Sequence, residues 1–193
     1  EYTMNEGKSA DNFTITKEEG DLSVVNSAQE ITVTTTAAKF EYDGNSHGAS
    51  VEVTNIPEGY TLETASSSAT ATNVSDNGKS AKADTLVIKN KNGEDVTSVL
   101  NIKYVDGTFE VTPHPVTITS ESHEFTYNGE AQRWNVAKTD DGLFNSEAKE
   151  IKATGSVTNV GDMAKNTIEY TMNEGKSADN FTITKEEGDL SVV

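Results

Sequence analysis

The chain has 193 residues, with 32 Asp and Glu against 15 Lys and Arg, a formal charge of −17 and no cysteine. So acidic a surface repels nucleic acid and anionic membranes. Without thiols, neither disulfide staples nor thiolate metal sites are available. Only 33% of the residues are hydrophobic, which predicts a thin core, and no stretch approaches the ~20 apolar residues of a membrane span.

The first 25 residues, EYTMNEGKSADNFTITKEEGDLSVV, recur letter for letter at 169–193, an offset of 168. Within that offset lies a weaker echo. ITVTTTAAKFEYDGN (31–45) lines up with VTITSESHEFTYNGE (116–130) at an offset of 85. TNVSD (72–76) answers TNVGD (158–162) at 86, and LNIKYVDGTFEV (100–111) answers FTITKEEGDLSV (181–192) at 81. Self-similarity at a fixed period is the signature of a repeat array. The sequence therefore predicts two homologous modules of about 84 residues, A over 26–113 and B over 114–193. Residues 1–25 then read as the C-terminal hairpin of a preceding B module, and the chain as a window on a longer alternating array, with any targeting segment outside it.

Period-two alternation dominates the rest. A turn is signalled at Tyr42-Asp43-Gly44 and echoed at Tyr127-Asn128-Gly129. Further turns fall at 91–95 and 173–177, around Gly93 and Gly175. Leu100, Ile102 and Tyr104 share one strand face, Phe109 and Val111 another, and Asp106-Gly107 between them reads as a hairpin turn. The best helical stretch, 145–155, is too sparsely apolar for an amphipathic helix, and a strand over 149–157 fits it as well. Thr and Val fill the segments between turns. The fold class is all-β, built from small Ig-like or β-grasp-like modules arranged linearly as an elongated rod. The predicted core is Phe40, Tyr42, Val51, Val53, Leu86, Ile88, Ile102, Tyr104, Phe109 and Val111 in A. In B it is Val116, Ile118, Phe125, Tyr127, Val157, Ile168, Tyr170, Phe181, Ile183, Leu190 and Val192.

The ordered set FEYDGN, TNVSDNG and LNIKYVDGTFEVTP, running into VTIT, with FTYNGE, GSVTNVGD and NFTITKEEGDLSV in B, resembles the tandem MBG or YDG-type repeat modules of bacterial cell-surface, adhesin-like proteins. The usual glycine after valine in the second motif is Ser75 in A. The resemblance covers nearly the whole chain. It implies an extracellular location, on a Gram-positive cell wall or in a secreted fibre, and a non-enzymatic stalk or spacer role. It also implies that a Lys–Asn or Lys–Asp isopeptide cross-link is to be sought.

No motif points to catalysis. His47, His114 and His123 lie outside any H-E-x-x-H arrangement, and there is no G-x-S-x-G or glycine-rich phosphate loop. The carboxylates read as scattered on solvent-facing strand positions. NKNGEDVT (90–97) and Asp140-Asp141-Gly142 offer oxygen ligands beside glycine, but without EF-hand spacing they read as turns, and no metal or cofactor is expected. Trp134, the only tryptophan, is the candidate ligand contact, weighed against a place in the core of B. Asn12, Asn73 and Asn180 begin glycosylation triplets. Pro113, His114 and Pro115 form an inter-module linker that prolines hold extended, predicting a stiffer A-to-B joint than the proline-free B-to-A joint at 26–30. The expected function is a structural segment of a surface stalk or fibre, its partners being neighbouring identical repeats. The alternative is a repetitive adhesive module binding a host glycan or protein.

Overall fold

The computed structural model describes residues 3–7, 9, 11 and 29–193. The proposed role of residues 1–25, and the joint at 26–30, fall almost wholly outside these residues. The described chain is all-β apart from short helical turns.

In the first half, β1 (Ile31–Ala37), β2 (Lys39–Glu41) and β3 (His47–Thr54) are followed by β4 (Thr61–Ser66), β5 (Thr70–Ala71) and β6 (Ser80–Ala81). Then come β7 (Thr85–Lys89), β8 (Ile102–Val105), β9 (Gly107–Thr108) and β10 (Glu110–Thr112). β1 is the hub: it pairs antiparallel with β3 and parallel with β8. β2 continues in the same direction and pairs parallel with β10. β4 pairs antiparallel with β7, and β6 with β9.

The second half holds β11 (His114–Ser120), β12 (His123–Phe125), β13 (Ala137–Lys138), the short helix α1 (Gly142–Glu147) and β14 (Ala148–Ala153). It ends with β15 (Met163–Lys165), β16 (Ile168–Met172), β17 (Phe181–Glu186) and β18 (Asp189–Val192). β11 pairs antiparallel with β13 and parallel with β17. β12 pairs parallel with β18, β14 antiparallel with β16, and β15 antiparallel with β18. The order of pairings in 31–112 thus recurs in 114–193, and no strand pairs across Pro113.

Local features recur with the pairings. Gly44 and Gly129 both take positive φ, +78° and +84°, in the turn after the second strand, where glycine carries no Cβ penalty. Asp76 accepts from the amides of Thr72 and Asn73, and Asp162 from those of Thr158 and Asn159.

Two expectations are corrected. Asp106-Gly107 is not a hairpin turn, because β8 and β10 do not pair with each other: each runs parallel to an early strand, β1 and β2. The string 181–192 behaves likewise, with β17 and β18 on β11 and β12. Gly107 does not take positive φ. It is there because a Cβ would stand 2.5 Å from the Thr35 carbonyl oxygen and 2.7 Å from the Ala37 amide. Gly188 makes the equivalent approach, 2.5 Å from the Ser122 amide. The stretch 145–155, in turn, is not one long helix; the strand reading of 149–157 holds for 149–153 within β14. Asp141 caps α1 by accepting from the Phe144 amide at 2.7 Å, and β14 begins at Ala148.

Where backbone crosses backbone at Gly107 and Gly188, side chains are excluded, so each half holds two small cores rather than one. The first half has Ile31, Ile88 and Leu100 at its leading end, and Ala37, Ala71, Ala81, Phe109 and Val111 at its trailing end. The second half has Val116, Ile118, Phe144, Ile168 and Phe181 leading, and Val157, Leu190 and Val192 trailing. Most predicted core positions are buried or half-buried, but Tyr104 and Tyr127 are each 52% exposed. Tyr104 shares the face of β8 that carries Ile102 but lies past the core that covers Ile102. Tyr127 lies two residues past the end of β12, at the trailing end.

Candidate functional site

The most elaborate polar and aromatic constellation lies where the halves meet. Pro113 alone separates β10 from β11, and His114 and Pro115 already belong to β11. The predicted extended linker is therefore a continuation of strand into strand. His114 faces Glu41 Oε1 through Nδ1 at 2.7 Å and Asp141 Oδ2 through Nε2 at 2.8 Å. Only the imidazolium donates from both nitrogens. The hydrogen bond with Asp141 lifts the His114 pKa above its ordinary value; partial burial opposes this and Glu41 adds to it. For Asp141, burial pushes upward, but the Phe144 amide and His114 outweigh it and hold the carboxyl below its usual range.

Below this clamp, Tyr42 of the first half is inserted into the leading core of the second, 2% exposed. Its ring meets Phe181 edge-on at 5.4 Å, and Phe181 meets Phe144 edge-on at 5.0 Å, the geometry that ring quadrupoles favour. The Tyr42 hydroxyl donates to Glu147 Oε1 at 2.7 Å. Burial, and next the bond to Glu147, push its pKa up to about 12, so it stays a neutral donor. Glu147 is itself 2% exposed, against the expectation that carboxylates face solvent. Lys176 Nζ supplies its counter-charge at 2.8 Å, and Oε2 has no partner among the described residues. On the other flank, the Val74 amide donates to Asn180 Oδ1 at 2.9 Å, and Asn180 Nδ2 donates to Asn73 Oδ1 at 3.0 Å. Val74 packs on the same core. Asn180 is buried with both amide atoms engaged, so its glycosylation triplet is closed to modification in the folded chain.

Of the predicted site residues, only His114 and its flanking prolines belong to this constellation. Trp134 lies at the trailing end of the second half, half-buried. Its ring stacks on His123 at 4.0 Å with 6° between planes, and Nε1 donates to Glu121 Oε2 at 3.2 Å. It packs against Val157, Leu190 and Val192, so one ring face is already taken. Among the described residues no group of three or more His, Asp or Glu side chains could hold a metal ion. The turn at 90–97 spends oxygens on its own amides: Asn90 Oδ1 accepts from Asn92 and Glu94, and Asp95 from Thr97; Asp141 is engaged by the Phe144 amide and His114. Glu147 and Phe144 were not singled out by sequence, and Asn180 was noted only as the start of a glycosylation triplet. Their signal is the departure of B from A at aligned positions: Phe181 for Leu100 and Asn180 for Val99.

The clamp makes the joint pH-dependent. A histidine whose pKa is raised on folding contributes stability that is full below its unfolded value, about 6.5, and lost as pH rises through the raised folded value. Asp141, depressed on folding, contributes above about 4 and loses that as pH falls through its lowered value. The joint is therefore strongest between roughly pH 4 and 6.5. His114→Gln should lower stability on the order of 1 kcal/mol at pH 5.5 and much less at pH 9, the clamp being only partly shielded from solvent. Chemical denaturation of both proteins at the two pH values checks this; an equal effect at both would refute it.

Compared with protein-family models, curated proteins and solved structures, the chain matches none.

Proposed function

We propose that this chain is a non-enzymatic, extracellular structural segment: tandem all-β modules in line, acting as a stiff spacer in a bacterial surface stalk or fibre. The observation that carries the reading is the relative direction of the first and last strands of each half. In each half, the chain enters along β1 or β11 and leaves beside it along the parallel β8 and β10, or β17 and β18. Tension along the chain pulls such parallel neighbours past each other, so the hydrogen bonds of the ladder resist together. A hairpin pulled at its ends would open one bond at a time. The passage from β10 to β11 through Pro113 transmits the tension directly, and the buried contacts of Tyr42, Phe181 and Asn180 resist bending there. The identical strings at 1–25 and 169–193 support membership of a repeat array, in which length scales with copy number. The acidic, cysteine-free composition and the resemblance to surface repeat modules support the extracellular setting. The adhesive alternative loses its main support, since Trp134 is stacked on His123 rather than offered to a ligand.

Single-molecule pulling tests the reading. Two unfolding events are expected, each releasing about 80 residues at up to ~3.6 Å, roughly 28 nm of contour. One event releasing both halves together, or gradual lengthening without a force peak, would refute it. Protease treatment of intact producing cells should release the chain if the surface location is right.

A further inference from the structure

The sequence holds three Asn-Gly pairs: Asn77-Gly78, Asn92-Gly93 and Asn128-Gly129. All three share one latent chemistry. A glycine amide nitrogen can attack the side-chain carbonyl carbon of the asparagine before it, because no Cβ shields that nitrogen. What differs is how the fold holds the two reacting groups. At Asn77 both are tied: the Gly78 amide donates to the Phe109 carbonyl at 2.9 Å, and Asn77 Oδ1 accepts from the Val111 amide at 3.2 Å. At Asn92 the nitrogen is tied, since the Gly93 amide donates to the Asn90 carbonyl at 3.0 Å. Asn128 differs from both. The Gly129 amide has no partner among the described residues, while Asn128 Oδ1 accepts from the Glu130 amide at 2.8 Å. The Gly129 nitrogen lies within the ring that this bond closes, so the side chain is folded back towards the nitrogen that would attack it. The same bond sets a backbone donor on the oxygen that gains negative charge as the carbonyl carbon becomes tetrahedral.

We propose that Asn128 is a site of spontaneous covalent modification, losing its side-chain amide by cyclisation onto Gly129. The Gly129 nitrogen gives its proton to hydroxide and bonds to Cγ of Asn128. The Cγ–Nδ2 bond then breaks, and Nδ2 takes up a proton and leaves as ammonia. Water opens the resulting five-membered imide. Opening at the side-chain carbonyl leaves aspartate at 128; opening at the backbone carbonyl leaves isoaspartate, whose main chain is one methylene longer. The aligned turn of the first half shows that the fold accepts the aspartate product. Asp43 stands there, and its Oδ1 accepts from the Asn45 amide at 2.9 Å, the bond that Asn128 makes with Glu130. That turn also shows that a docked neighbour leaves the position in water. With the second half packed on Tyr42, the Asp43 side chain is still 45% exposed. The site is therefore open whether or not another module docks beside it. Each event adds one negative charge to a chain already at −17. The inference goes beyond the stalk reading and does not rest on it.

The test follows the full folded chain over time at mildly alkaline pH by peptide mass mapping, beside the same chain in denaturant. In the folded chain Asn128 should gain one mass unit about tenfold faster than Asn77 or Asn92, the rate equivalent of one hydrogen bond. In denaturant the three should react at similar rates. The product at 128 should contain both aspartate and isoaspartate, and its rate of formation should rise with pH, because the attacking nitrogen must lose its proton. Gly129→Ala, whose Cβ crowds that nitrogen, should slow the reaction at Asn128. The unchanged rates at Asn77 and Asn92 in that variant would report that its fold is intact. A folded chain in which Asn128 reacts no faster than the other two would overturn the proposal. So would a preference for Asn128 that persists in denaturant, since the flanking sequence and not the fold would then set it. Aspartate without isoaspartate would also overturn it, because the amide would then be hydrolysed directly, and so would an undiminished rate in Gly129→Ala. None of these results alters the two unfolding events expected on pulling, so failure at Asn128 and failure of the stalk reading are separable.

Discussion

Tyr42→Ala is expected to destabilise the half of the chain to which Tyr42 does not belong. The residue follows β2 of the first half, yet its ring fills the leading core of the second beside Val116, Ile118, Phe144, Ile168 and Phe181. Removing a buried aromatic ring costs about 3–5 kcal/mol in lost transfer and cavity energy. Here the cavity would open against Phe181, and Glu147 Oε1 would lose one of its two donors. Trp134, the only tryptophan, lies in the second half and reports its unfolding alone. The denaturation midpoint followed by tryptophan fluorescence should therefore fall, with the first half, followed by backbone dichroism, less affected. Tyr42→Phe keeps the ring and removes the hydroxyl, leaving the buried carboxylate with Lys176 as its sole partner. It should cost about 1–3 kcal/mol, the price of stranding part of a buried polar group. An unchanged tryptophan transition in Tyr42→Ala would mean that the two halves fold without reference to each other.

Gly188→Ala and Gly107→Ala should each unfold one half selectively. A methyl group at Gly188 would stand 2.5 Å from both the Glu121 carbonyl carbon and the Ser122 amide, and one at Gly107 equally close to the Thr35 carbonyl. The obstructing atoms are backbone, in β1 for Gly107 and in the segment between β11 and β12 for Gly188, and cannot rotate aside as a side chain would. Relief requires parting β1 from β9, or moving β18 away from the segment joining β11 to β12. Overpacking of this kind typically costs 1–3 kcal/mol, and rigid backbone obstruction places both substitutions at or above the upper end of that range. Gly188→Ala should lower the tryptophan-detected midpoint sharply, while Gly107→Ala should leave it within about 0.5 kcal/mol, as for a distant independent site. Gly129→Ala serves as a comparison: its φ is +84° but no backbone atom lies near. The expected penalty is then only the strain of left-handed backbone, about 1 kcal/mol.

Val116 and Ile118 of β11 were legible as core by their alternation, a purely local pattern, whereas Ile31 and Val33 of β1, fully buried, lay outside the predicted core. The turns at Gly44, Gly93, Gly129 and Gly175 were legible because their backbone requires positive φ, which the residue type announces. Tyr104 and Tyr127 were misread as core because alternation tells which residues share a face, not whether another layer covers that face. Asp106-Gly107 was misread as a hairpin because its glycine serves a non-local need, room for the backbone at 35–37. The joint was legible only at Pro113 and His114. Glu147 and Phe144 carry no motif and Asn180 only an unrelated glycosylation triplet, and their roles arise from what lies across from them.

The sequence by itself determined the all-β character, the turns and the internal echo of one stretch in another. Each of these is written in residue type and spacing along the chain. Only the tertiary structure decided that the late strands run parallel to the early ones, that Gly107 and Gly188 divide each half into two cores, and that Tyr42 is buried while its counterpart Tyr127 is not. The parallel strand partners are residues about 70 positions apart, and aligned tyrosines in matching turns acquire opposite environments because one has a neighbouring half to enter.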